Sequence, residues 1–253
     1  MPEEFKIAIF ADNTVGEQAI RFLLEKYKTD VRFIVLADAI SHVKEIAIQN
    51  GFNPVDIFTN AALASEVVQT QFRSEKISHI ILAWWPFIIK EPWLSIPSAG
   101  IINFHPSLLP YNRGKNYNFW TLVEDTPFGV SLHFIDESID GGDIIAQRSI
   151  SKTWEDSGET LYNRAQSAMV ELFIESYPKI RTGDYVRIKQ DLSKGSFRYA
   201  KDMESAARID LEKNYKAKDL LNLLRAKTFP PHPAAWFEED GERFEATIKI
   251  IKK

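Results

Sequence analysis

Four short apolar runs, separated by helical segments, constrain the fold of this chain more than any other feature. They read "FKIAIFA" (5–11), "VRFIVLAD" (31–38), "ISHIILAW" (77–84) and "GIINFH" (100–105), and they have the length and composition of buried strands. Helical spacing predicts one helix between the first and second runs and two more, around 41–50 and 61–74, between the second and third. This alternation predicts an α/β domain with a mostly parallel sheet and helices on both faces.

The periodicity of the chain changes after residue 128, where alternation replaces helical spacing. "GVSLHFID" (129–136) and "GGDIIAQRSI" (141–150) predict two strands of a mixed sheet, which turn back at Gly141 and Gly142. A long amphipathic helix is predicted from about Glu159 to Arg181. The sheet therefore gains a hairpin and a covering helix.

The segment after this helix is polar and turn-rich, which marks a domain boundary near residue 183. We therefore divide the chain into a main domain, 1–183, and a C-terminal subdomain, 184–253. In the subdomain, "KAKDLLNLLRAK" (216–227) predicts a helix, and "WFEEDGERFEATIKI" (236–250) predicts two strands around a Gly-containing turn. The Pro-rich connector "FPPHP" (229–233) joins the helix to the hairpin.

The composition of the chain excludes several classes of partner and chemistry. Its 253 residues carry 31 Lys and Arg against 35 Asp and Glu, a net charge of -4, so there is no overall basic field for a nucleic acid. No run approaches the roughly 20 apolar residues of a membrane span, and the acidic start is unlike a signal peptide. The absence of Cys excludes disulfides and thiolate nucleophiles. We expect a cytoplasmic protein that acts on a small molecule, with no nucleic acid or membrane as partner.

The junction between the first predicted strand and helix, "ADNTVGE" (11–17), lies where phosphates often bind in α/β folds. It contains one Gly and therefore lacks the G-x-G-x-x-G pattern of a dinucleotide site. Asp12 and Asn13 have two possible roles here. They either cap the helix or help to bind a pyrophosphate at its N-terminus.

An aromatic cluster follows the strand "ISHIILAW". It consists of Trp84, Trp85, Pro86, Phe87 and Ile88. Aromatic residues in such number usually belong to a core. Ligands of parallel sheets, however, bind beyond the carboxyl ends of strands, and these residues follow such an end. The segment is either core packing or an aromatic-walled slot for a flat heterocycle.

The strand "GIINFH" ends in Asn103 and His105, which alternate with Phe104 and so point to one side of the sheet. In the acidic hairpin loop "DESIDGGD" (136–143), Asp140 is best placed to turn inward. An amide that donates to an oxyanion, an imidazole that relays a proton and a carboxylate that orients it suit acyl transfer. Without Cys or a G-x-S-x-G motif, they favour direct transfer to an amine. A structural His and a solvated turn are the alternatives.

Residues 102–150, which begin "INFHPSLLPYNRGK", resemble the signature of formyltransferases that use 10-formyltetrahydrofolate. This superfamily includes glycinamide ribonucleotide, methionyl-tRNA and nucleotide-sugar formyltransferases. The resemblance implies a Rossmann-like fold and direct formyl transfer. It assigns catalysis to Asn103, His105 and Asp140.

The resemblance also implies where the formyl donor binds. The pterin of 10-formyltetrahydrofolate would lie between the segment 84–88 and the loop that contains Asp136 and Asp143. No metal is needed for this chemistry. The catalytic groups would then face the formyl carbon from the neighbouring strand.

The segment after the catalytic strand offers groups for an anionic substrate. Arg113 and Lys115, with Asn112 and Gly114, could hold a pyrophosphate, because guanidinium and ammonium groups bind phosphate oxygens well. The alternative is an ordinary solvated loop.

Within the superfamily, the chain is most similar to sugar N-formyltransferases that act on dTDP-linked amino-dideoxy sugars. "FHPSLLPYNRGKNYNFW" (104–120) and the short tail carry this similarity. It implies transfer to the amino group of dTDP-4-amino-4,6-dideoxyglucose, for surface-glycan or O-antigen synthesis. The alternatives are a methionyl-tRNA formyltransferase and a folate- or nucleotide-binding protein without catalytic activity.

The C-terminal hairpin favours a homodimer, because an isolated two-stranded hairpin is marginal in water unless its apolar face is covered. Alternating residues would supply such a face: Trp236, Phe244, Ala246, Ile248 and Ile250. The hairpin either packs on its own domain or pairs with a second chain. The stiff Pro-rich connector favours the second arrangement, and similar sugar formyltransferases also tend to pair through C-terminal elements.

Overall fold

The computed structural model describes residues 5–39 and 42–253. The first four residues, and the first residue of the helix predicted over 41–50, lie outside this part. Among the described residues, no helix is both long and apolar enough to cross a membrane.

The first half of the chain alternates strands and helices, as its apolar runs predict. Its elements are β1 (Ile7–Ala11), α1 (Asn13–Lys26), β2 (Val31–Leu36), α2 (His42–Gln49), β3 (Ile57–Thr59), α3 (Glu66–Ser74), β4 (His79–Ala83) and β5 (Gly100–His105). The four predicted strands correspond to β1, β2, β4 and β5. β3 was not predicted, because a strand of three residues is too short to show a period.

The second half adds the predicted hairpin and long helix to shorter elements. These are β6 (Arg113–Gly114), α4 (Tyr117–Val123), β7 (Gly129–Phe134), β8 (Ile144–Ser149), α5 (Gly158–Thr182), β9 (Phe197–Arg198), α6 (Asp202–Ala206), α7 (Ala217–Ala226), β10 (Ala235–Glu239) and β11 (Glu242–Ala246). The predicted helices correspond to α5 and α7.

Seven strands form one sheet in the order β3-β2-β1-β4-β5-β7-β8. β1 to β5 are parallel to one another, whereas β7 and β8 are antiparallel to their neighbours. The order turns at β1, with β2 and β3 on one side and β4 and β5 on the other. The predicted Rossmann-like α/β fold is confirmed. Sheets of this kind bind ligands beyond the carboxyl ends of their strands.

A separate hydrophobic core lies on each face of the sheet, and the side chains of each strand alternate between the two cores. α1 and α5 cover the first face, where Ile102 and Phe104 of β5 are buried. α3 packs on the second face, where Ile101 is buried. Successive side chains of a strand point to opposite faces. Asn103 and His105 therefore point to the second face, together with Ile101.

α5 begins and ends at residues that satisfy its terminal backbone groups. Ser157 Oγ accepts a hydrogen bond from the backbone N–H of Thr160 at 3.3 Å, and Thr160 Oγ1 accepts one from the backbone N–H of Ser157 at 2.9 Å. At the other end, Gly183 adopts a φ of 72°, in the left-handed region. The capped helix packs against β7 and supports it from the first face.

A segment after α5, residues 184–200, returns to the main sheet and is called the strap below. The backbone groups of Ile188 and Ile144 exchange two hydrogen bonds of 2.8 Å. Further along, β9 pairs in parallel with β6, so that Gly114 lies opposite Arg198. The sequence predicts only polar turns here, because two-residue pairings leave no periodic pattern. The domain boundary near residue 183 stays a prediction.

The C-terminal hairpin forms, but it is shorter than predicted and its faces are divided differently. Trp236 lies opposite Glu245, whereas Phe237 lies opposite Phe244. Residues opposite each other share a face, so Trp236 and Phe244 lie on different faces. The prediction that Trp236 and Phe244 share a single apolar face is therefore wrong. β11 also ends at Ala246, earlier than predicted.

Candidate active site

Asn103 and His133 lie opposite each other on β5 and β7, with both side chains on the second face of the sheet. Asn103 Nδ2 lies 3.2 Å from His133 Nε2, and His133 Nδ1 lies 2.8 Å from the backbone oxygen of Phe134. A carbonyl oxygen only accepts, so His133 Nδ1 carries the proton and Nε2 is an acceptor. Asn103 Nδ2 therefore donates one hydrogen to His133 and keeps the second for a ligand.

Burial keeps His133 in this neutral form. Its side chain is fully buried, and burial, followed by repulsion from His105, lowers the pKa of His133 to about 4 against the attraction of Asp140. Near neutral pH, His133 thus offers a lone pair to Asn103. Sequence reasoning missed His133, because its signal is the cross-strand position opposite Asn103, which requires the register of β5 and β7.

His105 is buried at the carboxyl end of β5, and both of its ring nitrogens face oxygen atoms. Nδ1 lies 3.5 Å from Asp140 Oδ1, and Nε2 lies 3.4 Å from the backbone oxygen of Asn112. A doubly protonated imidazole can donate to both oxygens. The ring can therefore hold and release a proton beside a carboxylate, as general acid–base catalysis requires.

Asp140 turns inward from the loop after β7 and joins the two histidines. Its φ of 51° is left-handed, a conformation that Asp tolerates. Oδ2 accepts a hydrogen bond from the backbone N–H of Gly114 at 2.9 Å, and Oδ1 lies 3.7 Å from His133 Nε2. Burial opposes ionisation, but His105, His133, the Gly114 N–H and Lys115 outweigh it and lower the pKa of Asp140. Asp140 is thus a carboxylate at neutral pH.

His105, His133 and Asp140 also offer one metal-ligand atom each, and these atoms all lie within 4.8 Å of one another. In the part of the chain that the structure describes, this cluster has the donor set that could hold a divalent cation. In acyl transfer, these three side chains can instead form hydrogen bonds and carry a proton.

The aromatic segment after β4 is divided between the two faces of the sheet. Trp84 packs with the core of the first face, where its ring centroid lies 5.6 Å from that of Tyr162. Trp85 packs with the core of the second face, 5.3 Å from Phe10. The expected slot with both tryptophans as walls is therefore not formed. Trp85 shares the face of Asn103, and Trp84 does not.

The residues after Trp85 remain open to solvent. Pro86 is exposed, and the side chains of Phe87 and Ile88 are 44% and 76% exposed. Ile139, in the loop before Asp140, is 50% exposed. Trp85 Nε1 is buried without a hydrogen-bond partner. These two loops thus present uncovered apolar side chains above a buried, unpaired donor.

Asn112, expected to hold substrate, is instead used inside the protein. Its side chain is fully buried, and Nδ2 donates to Thr121 Oγ1 at 2.7 Å and to Thr126 Oγ1 at 2.8 Å. Its Oδ1 accepts from Ser196 Oγ at 3.2 Å. Because both amide hydrogens are committed, Asn112 positions the loop rather than the substrate.

Arg113, Gly114 and Lys115 lie beside the Asp140 carboxylate. The backbone N–H of Gly114 binds Asp140, and Lys115 is exposed and close enough to lower the pKa of Asp140. Arg113 is half-buried, and its Nε is buried without a hydrogen-bond partner. The two cations can therefore bind an anionic ligand next to Asp140.

Asp136 and Asp143, expected to contact the folate, have partners within the protein. Asp136 Oδ1 accepts hydrogen bonds from the backbone N–H and the Oγ of Ser138, at 2.8 and 2.5 Å. Asp143 forms an ion pair with Arg187 at 3.2 Å. Both carboxylates thus shape the loop that carries Asp140.

Asp12 and Asn13 lie at the N-terminus of α1, beyond the carboxyl end of β1. The Asp12 side chain makes no capping hydrogen bond, although its backbone has the extended conformation of an N-cap residue. Asn13 Oδ1 accepts from the backbone N–H of Thr14 at 2.6 Å. The helix N-terminus is therefore capped only in part.

The fold agrees with the family that the chain matches. Residues 9–177, more than half of the chain, match the formyl transferase family. The chain belongs to the formyl transferase family. Residues 202–252 match a second model, the N-formyltransferase dimerization C-terminal domain. The protein is therefore a formyltransferase.

Individual relatives extend over nearly the whole chain. A curated dTDP-4-amino-4,6-dideoxyglucose formyltransferase of Mycobacterium bovis is 29% identical over 225 residues, which cover 86% of this chain and 95% of its own. A 4-N formyltransferase from Francisella tularensis superposes with a TM-score of 0.81 at 24% identity, covering 98% of both chains. An N-formyltransferase from Helicobacter canadensis, in complex with folinic acid and dTDP-3-aminofucose, superposes with a TM-score of 0.71 at 19% identity. That alignment covers 94% of this chain and 85% of the other.

Proposed function

We propose that the formyltransferase moves the formyl group of 10-formyltetrahydrofolate to the amino group of dTDP-4-amino-4,6-dideoxyglucose. The observation that carries this proposal is the convergence of Asn103, His105 and Asp140 on one face of the sheet. An amide donor, an imidazole and a carboxylate form a working set for acyl transfer to an amine. The choice of sugar is supported by the Mycobacterium bovis relative. The product, a formamido sugar, would enter surface-glycan or O-antigen synthesis.

The folate is proposed to bind beside Trp85, between the loop after β4 and the loop that carries Asp140. Phe87, Ile88 and Ile139 leave apolar surface uncovered there, and a flat pterin would bury it. The unpaired Trp85 Nε1 offers a hydrogen bond. When bound, the folate supplies an electrophilic formyl carbon, and its N10 leaves with the proton that the substrate amine gives up.

Asn103 acts on the negative charge that develops on the formyl oxygen as the amine attacks. Its second amide hydrogen is free for this oxygen, because His133 accepts the first. An oriented donor stabilises the transition state more than the ground state, and removing one costs about 10²- to 10³-fold in kcat in other enzymes.

His105 and Asp140 handle the proton. The amine attacks in its neutral form and becomes positively charged as the new C–N bond forms. His105 transfers this proton toward the departing nitrogen, and Asp140 Oδ1, 3.5 Å from His105 Nδ1, stabilises the imidazolium. One C–N bond forms and one breaks, so the transfer involves no net gain or loss of protons.

Arg113 and Lys115 are proposed to bind the pyrophosphate of the substrate. The buried, unpaired Arg113 Nε and the exposed Lys115 ammonium flank Gly114, which itself contacts Asp140. The N-terminus of α1, at Asp12 and Asn13, is a second anchor for the phosphates. Either anchor would bring the sugar amine toward the catalytic cluster.

We also propose that the enzyme is a homodimer formed through its C-terminal hairpin. The dimerization-domain match over 202–252 supports this assignment. Phe244, which is 42% exposed, stacks on Phe237 with 5.4 Å between ring centroids, and Ile251 is 66% exposed. A two-stranded hairpin with an exposed apolar face and open edges is stabilised when a second copy covers it.

The substrate is tested by incubating the purified enzyme with 10-formyltetrahydrofolate and a panel of dTDP- and UDP-linked amino sugars, read by mass spectrometry. Formylated dTDP-4-amino-4,6-dideoxyglucose is the expected product, formed faster than any other. Formylation of methionyl initiator tRNA with no reaction of any sugar nucleotide would contradict the proposal.

The catalytic assignment is tested with His105→Asn and Asp140→Ala. Each should lower kcat at least about 100-fold with the fold intact, because both groups act on charge that develops in the transition state. His42→Asn is the matched control, since His42 is exposed on α2. Near-normal turnover by either catalytic variant would remove that residue from the mechanism.

A further inference from the structure

The strap contributes one buried side chain to the loop that carries Asp140. Gln190, 8% exposed, donates from Nε2 to the backbone oxygen of Asp140 at 2.9 Å and to that of Gly142 at 2.7 Å. The two carbonyl groups flank Gly141, so a single amide spans the turn. Carbonyl oxygens only accept, and both amide hydrogens are used, which determines the orientation of the Gln190 amide.

The oxygen of the Gln190 amide has no such partner. Gln190 Oε1 is buried and has no hydrogen-bond partner. An unpaired buried acceptor destabilises a protein, because it has lost its hydrogen bonds to water. If the amide were flipped, Oε1 would face the backbone oxygens of Asp140 and Gly142. Oε1 would then repel these oxygens and would still lack a donor. The side chain is therefore arranged for its contacts with the Asp140 loop, in spite of an unsatisfied oxygen.

The strap also positions the partner of the Asp140 carboxylate. Asp140 Oδ2 accepts from the backbone N–H of Gly114, which lies opposite Arg198 in the β6–β9 pair. The backbone oxygen of Arg198 accepts from the N–H of Lys115 at 3.0 Å. A Cβ atom on Gly114 would overlap this Arg198 oxygen, so the close approach requires glycine. Asp140 is thus held at its backbone by Gln190 and at its carboxylate by a strand that the strap pairs with.

The loop needs such an anchor, because its own sequence favours other conformations. Asp140 has a φ of 51°, in the left-handed region, which residues other than Gly adopt less readily than the right-handed one. Gly141 and Gly142 follow, and glycine loses more conformational freedom on ordering than any other residue. A loop of this kind does not by itself keep a carboxylate 3.5 Å from His105.

We propose that Gln190 is a positioning residue for formyl transfer, which fixes the loop so that the Asp140 carboxylate stays beside His105 and His133. The inference rests on the catalytic role of Asp140 in the proposed function. It assigns this task to the stretch between the two family matches, which end at residue 177 and resume at residue 202.

Gln190→Met keeps the length of the side chain and removes both donors. We expect kcat to fall about 10- to 100-fold, since a displacement of about 1 Å in a catalytic group can cost that much, with KM for the sugar nucleotide nearly unchanged. The matched control is Gln69→Met, which removes a 3.0 Å hydrogen bond to the backbone oxygen of Leu63 and should keep kcat. Thermal unfolding checks the fold of both variants. If Gln190→Met does not fold, Gln190→Glu, of the same shape, replaces it.

A double-mutant cycle with Asp140→Asn separates positioning from a general structural role. In that background, Gln190→Met should lower the residual kcat by no more than about twofold, because the two residues act as one unit. An equal loss in both backgrounds, or full kcat in Gln190→Met alone, overturns the inference. Full kcat in Asp140→Asn alone shows instead that the proposed function assigns the wrong carboxylate, and the inference then fails with it.

A readout that does not depend on activity completes the test. The imidazole NMR resonances of His105 and His133 report the position of the neighbouring carboxylate. They should shift in Gln190→Met and stay unchanged in Gln69→Met. Unchanged resonances in Gln190→Met overturn the inference, whatever substrate the enzyme uses.

Discussion

Replacing His133 by leucine removes the group that holds the Asn103 amide in place. The substitution deletes the acceptor 3.2 Å from Asn103 Nδ2 and leaves the backbone oxygen of Phe134 without its 2.8 Å partner. Asn103 keeps its backbone position in β5, but its amide can then rotate away from the formyl oxygen. The substitution therefore acts on the chemical step through the orientation of one donor.

The size of the effect follows from two limits. A single hydrogen bond contributes about 0.5–1.5 kcal/mol net, a factor of about 2 to 10 in the population of the correctly oriented amide. Complete loss of an oxyanion donor costs about 10²- to 10³-fold in kcat. Since the Asn103 amide is disoriented rather than removed, we expect kcat of His133→Leu to fall about 10-fold, at the upper end of the hydrogen-bond range and below the complete loss of a donor.

Steady-state kinetics with saturating formyl donor measure this effect. KM for the sugar nucleotide should change little, because Asn103 acts on the formyl group. His133→Gln should recover most of kcat, since its Oε1 can accept from Asn103 Nδ2. Thermal unfolding of both variants separates orientation from folding. Normal kcat in His133→Leu, or equal kcat in the Leu and Gln variants, would refute this role of His133.

Three further predictions concern stability, the folate site and assembly. The free energy of unfolding should fall as the pH drops from about 6.5 toward 4, because burial lowers the pKa of His133 and His79 to about 4 and the unfolded chain takes up their protons first. Urea unfolding of the wild type and His79→Phe at several pH values should show a free energy of unfolding that depends less on pH in the variant. Equal pH dependence of the two proteins would contradict this prediction. A reduced folate should change tryptophan emission in the wild type far more than in Trp85→Phe; an equal response would exclude Trp85 from the folate site. Light scattering should give about twice the 29.0 kDa chain mass. A chain truncated after Lys227 should dissociate or aggregate. A full-length monomer at micromolar concentration would rule out the dimer.

Much of the main sheet could be predicted from the sequence, because buried parallel strands are continuous apolar runs. β1, β2, β4 and β5 each have this pattern, and α5 has a long apolar stripe with a capping residue at its start, Ser157. β3, β6 and β9 have two or three residues and no period. The strap depends on pairings between residues far apart in the chain, such as Ile144 with Ile188, which local patterns do not contain.

The catalytic cluster was predictable to the extent that local geometry defines it. Alternation at a strand end places Asn103 and His105 on one face, and the two glycines after Asp140 allow its carboxylate to turn inward; the structure brings the three together. His133 and Gln190 could not be found this way. The first acts across a strand pair, and the second acts from a segment beyond α5.

The expected binding roles of Asn112 and Trp84 failed for the same physical reason. The sequence does not show which contacts a side chain makes inside the folded protein. Asn112 looked free in a polar loop, but Thr121 and Thr126 take both of its amide hydrogens. Trp84 looked like a partner of Trp85, but the chain turns at Trp84 with a φ of 60°, and its ring packs on the other face of the sheet.

We propose that Asn103, His105 and Asp140 catalyse transfer of a formyl group from 10-formyltetrahydrofolate to the amine of a dTDP-linked 4-amino sugar. Donor labelled with ¹³C in the formyl group, incubated with dTDP-4-amino-4,6-dideoxyglucose and followed by NMR, tests this reaction directly. We expect a labelled formamide on the sugar nitrogen, formed at least about 100-fold more slowly by Asn103→Ala, which loses the oriented donor. A product without label, or an equal rate of labelled product with Asn103→Ala, would contradict it.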